Sequence, residues 1–173
     1  MTRAALILAI GCAACGDVAI EPDAAPGSME LTLGTVDLAG QGFLPLAGDQ
    51  PLIPGAQGGF HVWVKYRVRG HAPRMVMVHR TARRVEDERL ILRADGAAEL
   101  GDPGPDGSWE LASPVPSFMC PSPLGVKVFD VPVRFTVQLT DPDTGEILAT
   151  GSAEAIPRCP AEYLEFCMRI CSG

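Results

Sequence analysis

The stretch Gly59-Phe-His-Val-Trp-Val-Lys-Tyr-Arg-Val-Arg69 divides residue by residue into two unlike faces. Phe60, Val62, Val64, Tyr66 and Val68 fall on one side; His61, Trp63, Lys65, Arg67 and Arg69 fall on the other. An α-helix would mix these sets, whereas side chains that alternate across a strand keep them apart. The stretch is therefore a strand with one face in a core and a basic, Trp-bearing face outside. Gly70-His-Ala-Pro73 breaks it, and extended character resumes from Arg74 to Thr81, either as a hairpin or in an opposing sheet. Arg83 to Glu88 reads as a solvated connection and Arg89 to Arg93 as a short strand around Leu90 and Leu92.

The pattern repeats on both sides. Upstream, Leu31 and Leu33 alternate with Glu30 and Thr32, followed by a Gly- and Pro-punctuated stretch with two short apolar pieces. Downstream, turns dominate from Ala94 to Pro123, "GDPGPDG" (residues 101–107) above all, with Trp109-Glu-Leu111 as a short strand between them. Strands return from Gly125. Val133, Phe135, Val137 and Leu139 alternate with polar partners, Asp141 to Gly145 makes a turn, and Ile147 to Ile156 returns. Pro132 places the start of its strand there or at a sheet edge. Seven or eight short strands, frequent turn signals and no clear helix predict an all-β fold, an antiparallel β-sandwich. The composition agrees, with 19 Gly and 16 Pro in 173 residues.

The N-terminus carries other information. Met1-Thr-Arg3 supplies a positive charge, and Ala4 to Ile10 is an unbroken apolar run ending in small residues. That is the layout of a secretory signal, and it is far short of the roughly 20 apolar residues a membrane-spanning helix needs. The following "IGCAACGD" (residues 10–17) holds a C-x-x-C pair, but without the βαβ context of a thioredoxin-type motif. Asp17 to Ser28 is acidic, Pro-containing and aperiodic, the composition of a flexible tether.

A cysteine after small residues at the end of such a run resembles the lipobox of bacterial lipoproteins, in which that cysteine is acylated. Cys15 gives a signal of usual length; Cys12 is the alternative, with better-fitting neighbours but a very short signal. An ordinary cleaved signal is the plainer option. The resemblance implies a cell-envelope protein, and Gly16 rather than Asp after the cysteine implies the outer membrane. "GAQGGFHVWVKYRVRG" (residues 55–70) is similar to a stretch in uncharacterised predicted lipoproteins of Gram-negative bacteria that also end in a cysteine-bearing tail. "FTVQLTDPDTGEILATG" (residues 135–151) resembles the closing hairpin of immunoglobulin-like domains, which implies that type of sandwich. The expected organisation is a signal over 1–14, a lipidated cysteine and tether over 15–28, the sandwich over 29–157 and a disulfide-linked tail over 158–173.

Cysteine parity fits this division. With Cys12 removed and Cys15 lipidated, Cys120, Cys159, Cys167 and Cys171 remain, an even set that predicts two disulfides after export. Three pairings are open; Cys167 with Cys171 is the least attractive, because both would face the body from one helical turn. Four thiolates holding zinc are the rival.

Function is less defined. The net charge of −7 argues against nucleic acid, yet residues 61–93 hold nine of the 14 Lys and Arg against three carboxylates. Trp63, Lys65, Arg67 and Arg69 form a possible binding face for an anionic glycan, a lipid headgroup or an acidic envelope protein. The alternative is a solvated face with Trp63 covered by a loop or paired with Arg. His61, His71 and His79 are close in the chain, but a turn at residues 70–73 would set Val64 rather than His61 opposite His79, so they read as solvated or packed. Asp141 to Glu146 has turn chemistry rather than a full calcium loop. No cofactor motif, nucleophile elbow, P-loop or H-E-x-x-H is present. The expectation is a lipid-anchored binding or structural interaction module without a cofactor or metal; the alternative is a small exported enzyme.

Overall fold

The computed structural model describes residues 29–37, 39–70 and 72–173. The signal, Cys12, Cys15, the tether and His71 lie outside the described residues. The first sheet orders β2 (Leu44–Pro45), β1 (Glu30–Thr35), β5 (Phe60–Arg69) and β4 (Ile53–Pro54), with β8 (Trp109–Glu110) and β9 (Val115–Cys120) also paired to β5. The second orders β3 (Gly48–Pro51), β11 (Ile147–Arg158), β10 (Val133–Thr140), β6 (Met75–Arg84) and β7 (Leu90–Glu99). Every pairing is antiparallel except that of β3 with the end of β11. The molecule is an all-β sandwich.

The alternation read in β5 is the alternation observed. Phe60, Val62, Val64, Tyr66 and Val68 are all buried, against Val76 and Val78 of β6 and Val133, Phe135, Val137 and Leu139 of β10. Burying each such side chain contributes about 1.5–3 kcal/mol, which is why this face fixes the register. Arg80 shares the inward face of β6 with Val76, Val78 and Ala82. Its guanidinium donates to the Pro116 carbonyl of β9 at 3.1 Å, tying the two sheets together. Burial pushes the neighbouring Tyr66 phenol up to about 12, against the opposing charge of Arg80. Gly151 lets the sheets approach closely at another point. A Cβ there would stand 2.5 Å from the Leu31 carbonyl oxygen of β1.

Several boundaries differ from the sequence reading. Of the two connections left open after β5, the crossover to the opposing sheet is the one formed, since β5 and β6 belong to different sheets. β6 continues to Arg84, β7 runs ten residues to Glu99, and β9 occupies Val115–Cys120 in a stretch read as turns. Residues 125–132 are not strand; β10 starts directly after Pro132 and lies in the interior of its sheet. β7 shows no alternation over Ala94-Asp-Gly-Ala-Ala-Glu99; its extended form comes from antiparallel pairing with Met75–Arg83. Among the described residues β9 pairs only with β5, which leaves room for Pro116 on an open edge.

The tail is a 3-10 turn (Ala161–Tyr163) leading into α1 (Leu164–Ile170). Cys120 is bridged to Cys171 and Cys159 to Cys167, the four cysteines expected and a pairing without Cys167–Cys171. One turn apart, Cys167 on α1 and Cys171 at its C-cap are both fully buried. Their sulfurs lie 3.7 Å apart but belong to different bridges. All four sulfurs are in bridges. The pair of disulfides indicates an oxidising, extracytoplasmic compartment. The tail is also held by Ser122 N–H donating to Ile170 O at 3.1 Å, by Val128 N–H donating to Cys171 O at 3.0 Å, and by Phe60 packing on Tyr163 and Phe166. Among the described residues, no helix is long and apolar enough to cross a membrane.

Candidate functional site

Trp63, Lys65, Arg67 and Arg69 do share the outer face of β5, and β8 and β9 set what lies beside them. Arg67 pairs with Glu110 in register, which delivers a carboxylate to the middle of the basic stripe. Lys65 Nζ lies 2.9 Å from Glu110 Oε2, and Arg67 donates to Oε1 from Nε at 2.8 Å and from its terminal nitrogen at 2.6 Å. Lys65 also donates to the Gly42 carbonyl at 3.2 Å, and the Arg67 guanidinium lies 4.1 Å over the Phe43 ring. Burial pushes the Glu110 carboxyl up, but the hydrogen bonds and charges of Lys65 and Arg67 outweigh it and hold the group below its usual range. Arg69 is more exposed and reaches Asp106 at 3.9 Å.

Compensation extends over the whole basic segment. Arg74 pairs with Glu99, Arg84 with Asp87 and Arg93 with Asp95. Arg83 donates to the Glu88 carbonyl, and Arg89 to those of Leu124 and Gly125. With Arg80 on Pro116, each of the nine basic residues has a partner. Six of the nine lie against carboxylates and three, Arg80, Arg83 and Arg89, against backbone carbonyls.

The other end of this face is aromatic. Register sets His61 opposite Phe118 and Trp63 opposite Pro116. The His61 ring stands edge-on to Trp63 at 4.5 Å and to Phe118 at 5.7 Å. Phe118 is 53% exposed, while His61 is buried. Trp63 lines one cavity of about 300 Å³ with Gln50, Ile53 and Pro114, and His61 lines a second of about 440 Å³ with Phe118, Cys120 and Pro121. Sequence reading missed Glu110, Phe118 and the burial of His61. A Pro-flanked Phe in a turn-rich stretch carries no strand signal, and only the β5–β9 register brings it to His61.

On the outer face of the second sheet, His79 Nδ1 lies 2.8 Å from Asp95 Oδ1 and Nε2 lies 3.2 Å from Thr140 Oγ1. The chain of contacts has the connectivity of a nucleophile, a base and an orienting acid. Its setting does not suit acyl transfer. Thr140 is buried, and β6 and β10 are each paired on both sides, so their amides are spent in the ladder rather than free for an oxyanion. At Asp141 the carboxylate accepts from the amides of Asp143 and Thr144 at 2.9 and 2.8 Å, and so closes the turn itself. No protein-family profile and no curated protein sequence matches the chain.

Proposed function

We propose that this chain is an outer-membrane lipoprotein, anchored through Cys15, whose sandwich is a binding or structural interaction module of the cell envelope. The observation that carries the binding role is the aromatic end of the first sheet's outer face, with Phe118 53% exposed beside His61, Trp63 on the other side of His61, and two cavities. A large exposed aromatic on an otherwise ion-paired surface is what a recognition face needs. An immunoglobulin-like type is supported by the order β1-β5-β9 facing β3-β11-β10-β6-β7, with consecutive strands crossing between sheets. Anionic glycan, lipid headgroup or acidic protein partners would compete with Glu110 and Asp106 for Lys65, Arg67 and Arg69. The second reading, a small exported enzyme, rests on the Asp95–His79–Thr140 contacts alone.

The test follows the anchor and the face together. Cells expressing the wild type and Cys15→Ser are fed a fatty-acid probe and fractionated, and envelope partners are recovered by pull-down. Labelling and membrane retention are expected for wild type only. Loss of both on Cys12→Ser instead would move the anchor to Cys12. A chain that is soluble and unlabelled from the start would remove the lipoprotein reading. The wild type should recover an envelope partner that Trp63→Ala with Phe118→Ala fails to recover.

A further inference from the structure

His61 is a histidine on the polar side of β5 that has no polar partner among the described residues. It is only 6% exposed, and neither ring nitrogen makes a hydrogen bond to any of them. Buried polar groups are nearly always paired, so an orphaned imidazole asks what completes it. Its surroundings are apolar. Trp63 and Phe118 present their rings edge-on, and a Cβ built at Gly55 would be in ordinary contact with Nδ1 at 3.6 Å.

The ring borders the cavity of about 440 Å³, a size common for small-molecule pockets. The rest of the wall is Gly55 to Gln57, Gly59, Phe118, Cys120 and Pro121, none of them charged. The Cys120–Cys171 bridge and the ladder between β5 and β9 hold one side of it rigid. Burial also holds the imidazole below its ordinary titration range, which leaves one nitrogen to donate and the other to accept.

We infer that this cavity binds a small uncharged molecule with a flat apolar body and one hydroxyl or carbonyl group. The body lies between Phe118 and the Cys120–Pro121 wall, and the polar group completes the hydrogen bonding of His61. A charged ligand is disfavoured, because among the described residues no charged side chain lines the cavity to offset its desolvation. Both nitrogens are covered, so binding requires the wall beside them to yield. The inference deepens the binding-module reading and rests on it for its biological role.

The purified full chain, ¹⁵N-labelled at histidine, is titrated with p-cresol, toluene and 4-methylbenzoate. These share a body and differ in carrying a hydroxyl, nothing or a charge. p-Cresol is expected to bind about tenfold tighter than toluene and to shift the His61 ring nitrogens, because a site built for a hydroxyl rejects the analogue without one. The difference should vanish in His61→Phe, and Phe118→Ala should weaken both neutral probes alike. Equal affinities for p-cresol and toluene on the wild type would overturn the inference, with no variant needed. Tightest binding of 4-methylbenzoate, or no binding of any probe, would overturn it as well. Fatty-acid labelling and partner recovery are separate readouts, so a failed pocket leaves the anchored-module reading standing, and a failed anchor leaves the probe result standing.

Discussion

At the scale of single residues, Glu110 decides what the basic stripe of β5 can do. It is the shared acceptor of Lys65 and Arg67, and its side chain is about one quarter exposed (28%). Replacing it by Gln keeps the shape and removes the charge. The Glu110→Gln chain should lose about 1–2 kcal/mol of stability, because Lys65 is left in a poorly solvated position without its counter-ion. The same change frees two cationic heads, so the variant should elute from heparin at higher salt than the wild type. Unchanged elution with unchanged urea stability would mean that the pairing is not formed in solution. The two faces of β5 and their members were legible in the sequence, because strand alternation is a local property. The neutralisation was not, since Glu110 lies 43 residues beyond Arg67 and reaches it only through the pairing of β8 with β5.

Among elements, the strands read most easily were those with one buried face, namely β1, β5, β10 and β11. The second half of β7 (residues 94–99) and all of β9 went unseen because edge strands borrow their conformation from a neighbour, through small residues in one and Pro116 in the other. The number of bridged cysteines was legible from parity, but the pairing needed three dimensions. The two bridges should differ in weight. Cys120–Cys171 spans 51 residues and Cys159–Cys167 spans 8, so restricting the unfolded chain gives about 4 and about 2.5 kcal/mol. Cys120→Ala with Cys171→Ala should therefore lower the urea midpoint more than Cys159→Ala with Cys167→Ala. The first pair of changes should also release α1 from β9, seen as amide exchange from residues 164–170. An equal or reversed order would show that packing of α1, and not chain restriction, sets the contribution of the bridges.

At the scale of the whole molecule, the titrating groups predict an acid response in two limbs. Burial holds His61 below its ordinary value near 6.5, so the unfolded chain takes up this proton more readily than the folded one. The corresponding stability is complete above that ordinary value and is lost as the pH falls from it toward the lowered folded value. The carboxylates act further down. Hydrogen bonding from Arg84 is the largest influence on Asp87, holding it at about 2. Asp106 is lowered first by the Ser108 hydroxyl, and Asp141 by the amides of Thr144 and Asp143. Their contribution is complete above the ordinary carboxylate range near pH 4 and disappears as the pH falls through each folded value, Asp87 last. Urea midpoints measured from pH 7.5 to 2.5 should thus decline gently below about 6.5, then steeply below about 4. His61→Phe should flatten the upper limb and leave the lower one in place, because phenylalanine carries no proton and the carboxylates are untouched. An upper limb of the same size in that variant would assign it to another group and would mean that His61 is solvated in the folded protein.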